Sequence, residues 1–220
     1  KGPGQPGQPG QPGQPGQPQR TIAQIQSLAL AMGHPYEPLV RTGNEYRQSS
    51  LPRSGAATVN GYMGTDIVNG NCSSEDCRSG SIRPPDFELN GGSFAGDLTI
   101  TANFQTRNLQ GSATNFVSGD NTAIAGSLNI APSRFPARGS GDPAIDSRIN
   151  GTLTGDDGVG YNVTGRLVGD FYGPTTATPA AIIGGFEGSM QRSTNTVTGS
   201  AAQEQGLIGS LDDGAFIVTR

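Results

Sequence analysis

Phe94-Ala95-Gly96-Asp97-Leu98-Thr99-Ile100-Thr101-Ala102-Asn103-Phe104 is the stretch that decides the fold. Successive side chains on a strand point to opposite faces. Phe94, Gly96, Leu98, Ile100, Ala102 and Phe104 therefore share one face, with Thr99, Thr101 and Asn103 on the other. Its kernel, apolar-any-Gly-any-apolar, recurs at 59–63, 109–113, 124–128, 149–153, 163–167, 182–186, 197–201 and 207–211. Around 163–167 the alternation extends through Val159, Tyr161, Gly169 and Phe171.

Glycine inside a strand weakens it, so a repeated one needs a reason. A small closed barrel supplies one: inward glycines leave room for a neighbour's ring and let strands coil. The intervening outward positions are mostly polar, unlike the apolar outer band of a lipid-facing barrel. Asn90-Gly91-Gly92, Ser118-Gly119-Asp120-Asn121, Gly155-Asp156-Asp157-Gly158 and Asp212-Asp213-Gly214 read as tight turns, because these residues tolerate positive φ. The expected fold is all-β, a single small antiparallel β-barrel of about eight strands with a short N-terminal helix. The expected domains are a disordered Gly-Gln-Pro linker (1–20), a short helix and connector (21–54) and the barrel (55–220).

Composition agrees. The chain holds 35 Gly and 16 Pro, no Trp and only 32% hydrophobic residues, too little for a large helical core. A barrel manages with less, because each strand buries every second side chain. A net charge of −4 without any basic run disfavours nucleic acid and polybasic attachment to anionic lipid. No apolar run is long enough for a membrane-spanning helix. No signal peptide is present, so the sequence reads as a mature or trimmed chain.

Residues 4–18 repeat Gly-Gln-Pro five times. The period resembles collagen, but so few triplets read better as a polyproline-II-like spacer, reaching roughly 50 Å at about 3.1 Å per residue. Thr21 and Gln24 then have capping-box spacing, and Ile22, Ile25, Ala29 and Met32 fall on one helical face. Gly33 and Pro35 read as a stop. The helix is expected to pack on the barrel or in its mouth, with an irregular connector over 36–54.

Cys72 and Cys77, the only cysteines, flank Ser73-Ser74-Glu75-Asp76 in a polar loop. A short disulfide is the natural reading and implies an oxidising compartment. Free thiols or a metal pair are the alternatives, the latter lacking a second Cys or His pair. The only histidine is His34. With Met32 and Tyr36 it forms a candidate set of haem ligands, against the plainer reading of a helix end facing water. Any His-dependent catalysis would have to use His34, so no triad can be assembled and no enzyme is expected. Asp156-Asp157 and Asp212-Asp213 lack calcium-loop spacing, so no metal site is expected. Glu187 should point outward with Ile183 and Gly185. Tyr62 and Met63 read as packing residues.

Gly169-Asp170-Phe171-Tyr172-Gly173-Pro174, followed by Ala180-Ala181-Ile182-Ile183-Gly184-Gly185-Phe186, resembles the closing strands of the transferrin-binding protein B β-barrel. The family-like positions are Phe171, Tyr172, Gly173, Pro174, Gly184, Gly185 and Phe186. The stretches 98–104 and 149–154 resemble other barrel strands of that family. The likeness covers about 55–205, a single lobe. Pro179-Ala180-Ala181 stands where the family often has an acidic residue, and Gly206 to Arg220 runs past the usual barrel end, with 216–218 expected to pair with 207–211. The resemblance implies a lipoprotein tethered at the outer-membrane surface behind a lipidated Cys, capturing a host protein or iron source through loops at one barrel end. The loops 64–90 and 132–144 are the longest and are expected to form that site. A carrier of haem or a hydrophobe, or a structural envelope lipoprotein, are the alternative roles, and a monomer is expected.

Overall fold

A computed structural model describes residues 20–41, 51–69, 93–134, 145–155, 158, 160–173, 179–192 and 207–220. Eight strands close into one antiparallel barrel in sequence order: β1 (Ala56–Asn69), β2 (Ser93–Asn103), β3 (Asn108–Ser118), β4 (Ala123–Arg134), β5 (Ile145–Thr154), β6 (Gly160–Tyr172), β7 (Ala181–Arg192) and β8 (Leu207–Thr219). β8 pairs with both β7 and β1, so no sheet edge is left open.

The interior follows the alternation. Val59, Met63, Phe94, Leu98, Ile100, Leu128, Ile149, Leu153, Val163, Leu167 and Phe216 are buried in one cluster. Phe94 and Phe116 meet edge to face with ring centroids 5.6 Å apart. Inward glycines seat these rings. A Cβ on Gly96 would stand 2.5 Å from the Phe116 ring, and one on Gly169 2.8 Å from that of Phe216. Gly126 differs from the expectation: it is exposed at φ +114° and takes up a bulge in β4. The motif at 197–201, the turn at 90–92, and Cys72 and Cys77 lie outside the described residues, as does Pro174.

The outer wall carries short uncharged polar residues. Asn60, Thr99, Ser112, Asn129, Asn150, Thr164 and Ser189 stand directly opposite one another on seven consecutive strands. Hydrogen bonds link Thr99 to Asn60 (2.9 Å) and join Thr164 with Ser189 (3.1 Å).

The helix also forms. α1 (Ile22–Gly33) has the full capping box: Gln24 N–H donates to Thr21 Oγ1 (3.2 Å) and Thr21 N–H to Gln24 Oε1 (2.8 Å). It lies on the outside of the barrel. Ile22, Ile25 and Ala29 form a second cluster with outward-facing Ala95, Val117, Ile183, Ala215 and Ile217, flanked by Tyr172 and Ala181.

Two expectations are corrected. Gly33 and Pro35 do not stop the helical path. A 3₁₀ turn (His34–Tyr36) and α2 (Glu37–Arg41) follow, because Pro35 sits near the start of the 3₁₀ turn, where its missing N–H costs nothing. Asp212-Asp213-Gly214 is not a turn. β8 runs straight through it with one extra residue against both neighbours, a bulge rather than the expected hairpin of 207–211 with 216–218.

Candidate functional site

The described surfaces are the barrel interior, the wall and the two barrel ends. The interior is filled. Phe94, Phe116, Phe171, Phe186 and Phe216 are all at most 2% exposed, with Met63 and four or more aliphatic side chains packed between them. Thr65 on β1 and Ser147 on β5 are the buried polar exceptions among the described residues, and the Ser147 hydroxyl hydrogen-bonds that of Ser133. A ligand inside the barrel would have to displace aromatic rings from a close-packed core.

The three haem-ligand candidates occupy different surroundings. The His34 side chain is 85% exposed, with Nδ1 3.9 Å from Glu37 Oε2. Met32 and Tyr36 are half-buried against the cluster under α1. The structure brings Met32 and Tyr36 onto the barrel wall and turns His34 to water. Of the family-like residues, Phe171, Gly184 and Phe186 belong to the interior, whereas Tyr172 joins the outer cluster. Tyr62 packs beneath the helix, Met63 is inside the barrel, and Glu187 is exposed opposite Arg166.

The first turn of α1 is fastened by a polar clasp. Arg20 donates to Asp97 Oδ1 (2.7 Å) and lies over the Tyr62 ring, 5.6 Å from its centroid. Asn115, at φ 55° in a β3 bulge, donates to the other Asp97 oxygen (2.8 Å). Ile22 N–H donates to Asn121 Oδ1 (2.9 Å) in the β3–β4 turn.

Strand direction alternates, so connections alternate between ends. The upper end receives the chain leaving β1 at Asn69, the 119–122 turn, the β5–β6 turn and the chain leaving β7 at Arg192. The lower end receives the 104–107 turn, the chain leaving β4 at Arg134 and the chain leaving β6 at Tyr172. The expected pairing of 64–90 with 132–144 at one end is therefore corrected: an up-and-down meander puts them at opposite ends. The chain leaves β1 at Asn69 and re-enters β8 at Leu207 at the upper end, 64–69 is strand rather than loop, and 70–92, 135–144 and 193–206 lie outside the described residues.

Both signs of charge occur at each end, with Arg20 and Arg192 in the upper half and Asp146, Asp170 and Glu187 in the lower, but the arginines gather below. Among the described residues Asp66, Asp97, Asp120, Asp212 and Asp213 lie in the upper half. Asp120 is held below its ordinary pKa of 3.8 by hydrogen bonds from the Ser118 hydroxyl and the Thr122 N–H. Arg53, Arg107, Arg134, Arg148, Arg166 and Arg220 lie in the lower half. Arg166 donates from Nε to Asp146 Oδ1 (2.6 Å), which holds the Asp146 carboxyl below and the guanidinium above their ordinary pKa values. This grouping escaped the sequence reading, since the arginines are scattered along the chain and only barrel closure collects them. Among the described residues no three His, Cys, Asp or Glu side chains approach closely enough to hold a metal ion.

No protein family, curated protein or solved structure matches the chain.

Proposed function

We propose that this barrel is a non-catalytic binding module, tethered at a bacterial cell surface by its Gly-Gln-Pro leader, that captures a host protein through one end of the barrel. The filled interior carries this reading. With the described interior occupied by buried aromatic and aliphatic side chains, and an outer wall that outside the charged group Asp146, Arg148, Arg166 and Glu187 is mostly short neutral side chains or docked helix, the ends are what remain for recognition. Rigid strands presenting connections at their tips are a common way to build such a surface. A host protein or iron source is the ligand class suggested by the likeness of 169–186 to the transferrin-binding barrel, and no contact loop singles out transferrin itself.

The test is capture of purified host serum proteins by the immobilised chain, followed by replacement of 70–92, 193–206 or 135–144 with short Gly-Ser links. Saturable binding lost in one end's variants supports the module. Equal binding by all variants, or none by the intact chain, overturns it.

A further inference from the structure

Four arginines at the lower end stand apart from the others. Arg20 in the upper half pairs with Asp97, Arg41 on α2 with Glu37, and Arg166 in the lower half with Asp146. Arg53, Arg134, Arg148 and Arg220 are exposed and make no ion pair among the described residues. Barrel closure gathers them. Phe104 N–H donates to Gly55 O (2.9 Å), which brings the approach to β1, with Arg53, beside the 104–107 turn that holds half-buried Arg107. Arg134 is the direct partner of Asn108, the next residue. Arg148 follows on β5, opposite Arg166, and the Arg220 N–H reaches Ala180 O (3.0 Å) at the foot of β7. The described carboxylates nearby, Asp146, Asp170 and Glu187, all lie on β5–β7, and Asp146 is occupied by Arg166. The β1–β4 sector of this end holds guanidiniums and no described carboxylate.

The geometry points to the lower end as the docking face, and to an acidic patch on a partner protein as what it takes. This deepens the binding-module reading and rests on it. Like charges gathered together without an ion-pair partner among the described residues cost stability and favour a partner that neutralises them. A small anion needs donors converging on one point, whereas these spread along the rim. The cations are all arginine, since Lys1 is the only lysine in the chain. Arginine binds carboxylates through two parallel hydrogen bonds and is enriched at protein interfaces, where lysine is depleted.

The experiment compares the full chain, Arg53→Gln/Arg134→Gln, and Ala123→Asp/Ala125→Asp. The last lowers net charge equally at exposed upper-end sites. Circular dichroism checks that each retains its strands. The probes are poly-L-glutamate and heparin. Poly-L-glutamate binding that falls with salt, and weakens roughly tenfold in the arginine variant but not in the alanine one, is the expected result. Overturning results are no poly-L-glutamate binding at low salt, equal loss in both variants, or binding of heparin alone, which would assign the face to a sulfated glycan. Serum-protein capture that survives Arg53→Gln/Arg134→Gln overturns this face and leaves the module standing. Poly-L-glutamate binding without serum capture does the reverse.

Discussion

At the residue scale, the glycines are structural choices rather than slack. A Cβ on Gly184 would overlap the Val168 carbonyl oxygen and stand 2.5 Å from Gly169 Cα and 2.7 Å from the Phe216 ring. Two of these neighbours are backbone, so the site cannot relax by turning a rotamer. Gly184→Ala is expected to cost about 1–3 kcal/mol in urea unfolding, with binding lost only as folding is lost. The alternation showed in the sequence that Gly184 faces inward with Ile182 and Phe186. It hid that Ile183 is buried too, under a helix whose docking place no strand pattern records. Asp120 offers a pH-resolved test. Its folded pKa is depressed, so its contribution is present above the unfolded value near 3.8 and fades as pH falls through the folded one. The stability lost in Asp120→Asn should be constant around neutrality and disappear in acid, measured by denaturant titration at pH 7 and at successively lower pH.

At the element scale, α1 has its own cap, its own apolar stripe and its own partner surface. The capping box and the Ile22, Ile25, Ala29 face were legible because they depend on spacing within a few residues. The path after Gly33 was not. Gly and Pro near a helix end usually mark its limit, but here Pro35 begins another turn and Leu39 and Val40 continue onto the outer cluster. The β8 bulge misled for a related reason: Asp-Asp-Gly suits a turn, and only pairing with β1 and β7 keeps it extended. Thr21→Ala is expected to weaken α1 by about 1 kcal/mol. Amide exchange should quicken across 22–33 and stay unchanged in β5, which contributes nothing to the cluster under α1.

At the scale of the whole molecule, eight strands and closure follow from repeated short strands and turns, but the distribution of surfaces does not. Loop length in the sequence suggested 64–90 and 132–144 as one site; parity of the meander separates them. The arginine rim is likewise a product of closure, joining positions as distant in sequence as 53 and 220. The filled interior bears on the carrier alternative. Hemin titration of the intact chain should give no saturable Soret shift, and His34→Ala should change nothing. A saturable red-shifted band lost in His34→Ala would return the helix end to consideration as a haem site.

The seam between β1 and β8 has a practical meaning for protein engineering. Thr219 pairs with Asn60, so β1 starts and β8 finishes at the same end, a few residues apart. The closed form is thus expected to tolerate a change in the order in which the ribosome delivers the strands. A circular permutant linking 220 to 51 through a short Gly-Ser bridge, opened within the tight Ser118–Thr122 turn and lacking 1–50, should close into the same barrel. Its far-ultraviolet dichroism should match that of the unpermuted 51–220 chain, with a lower melting temperature in both for want of α1.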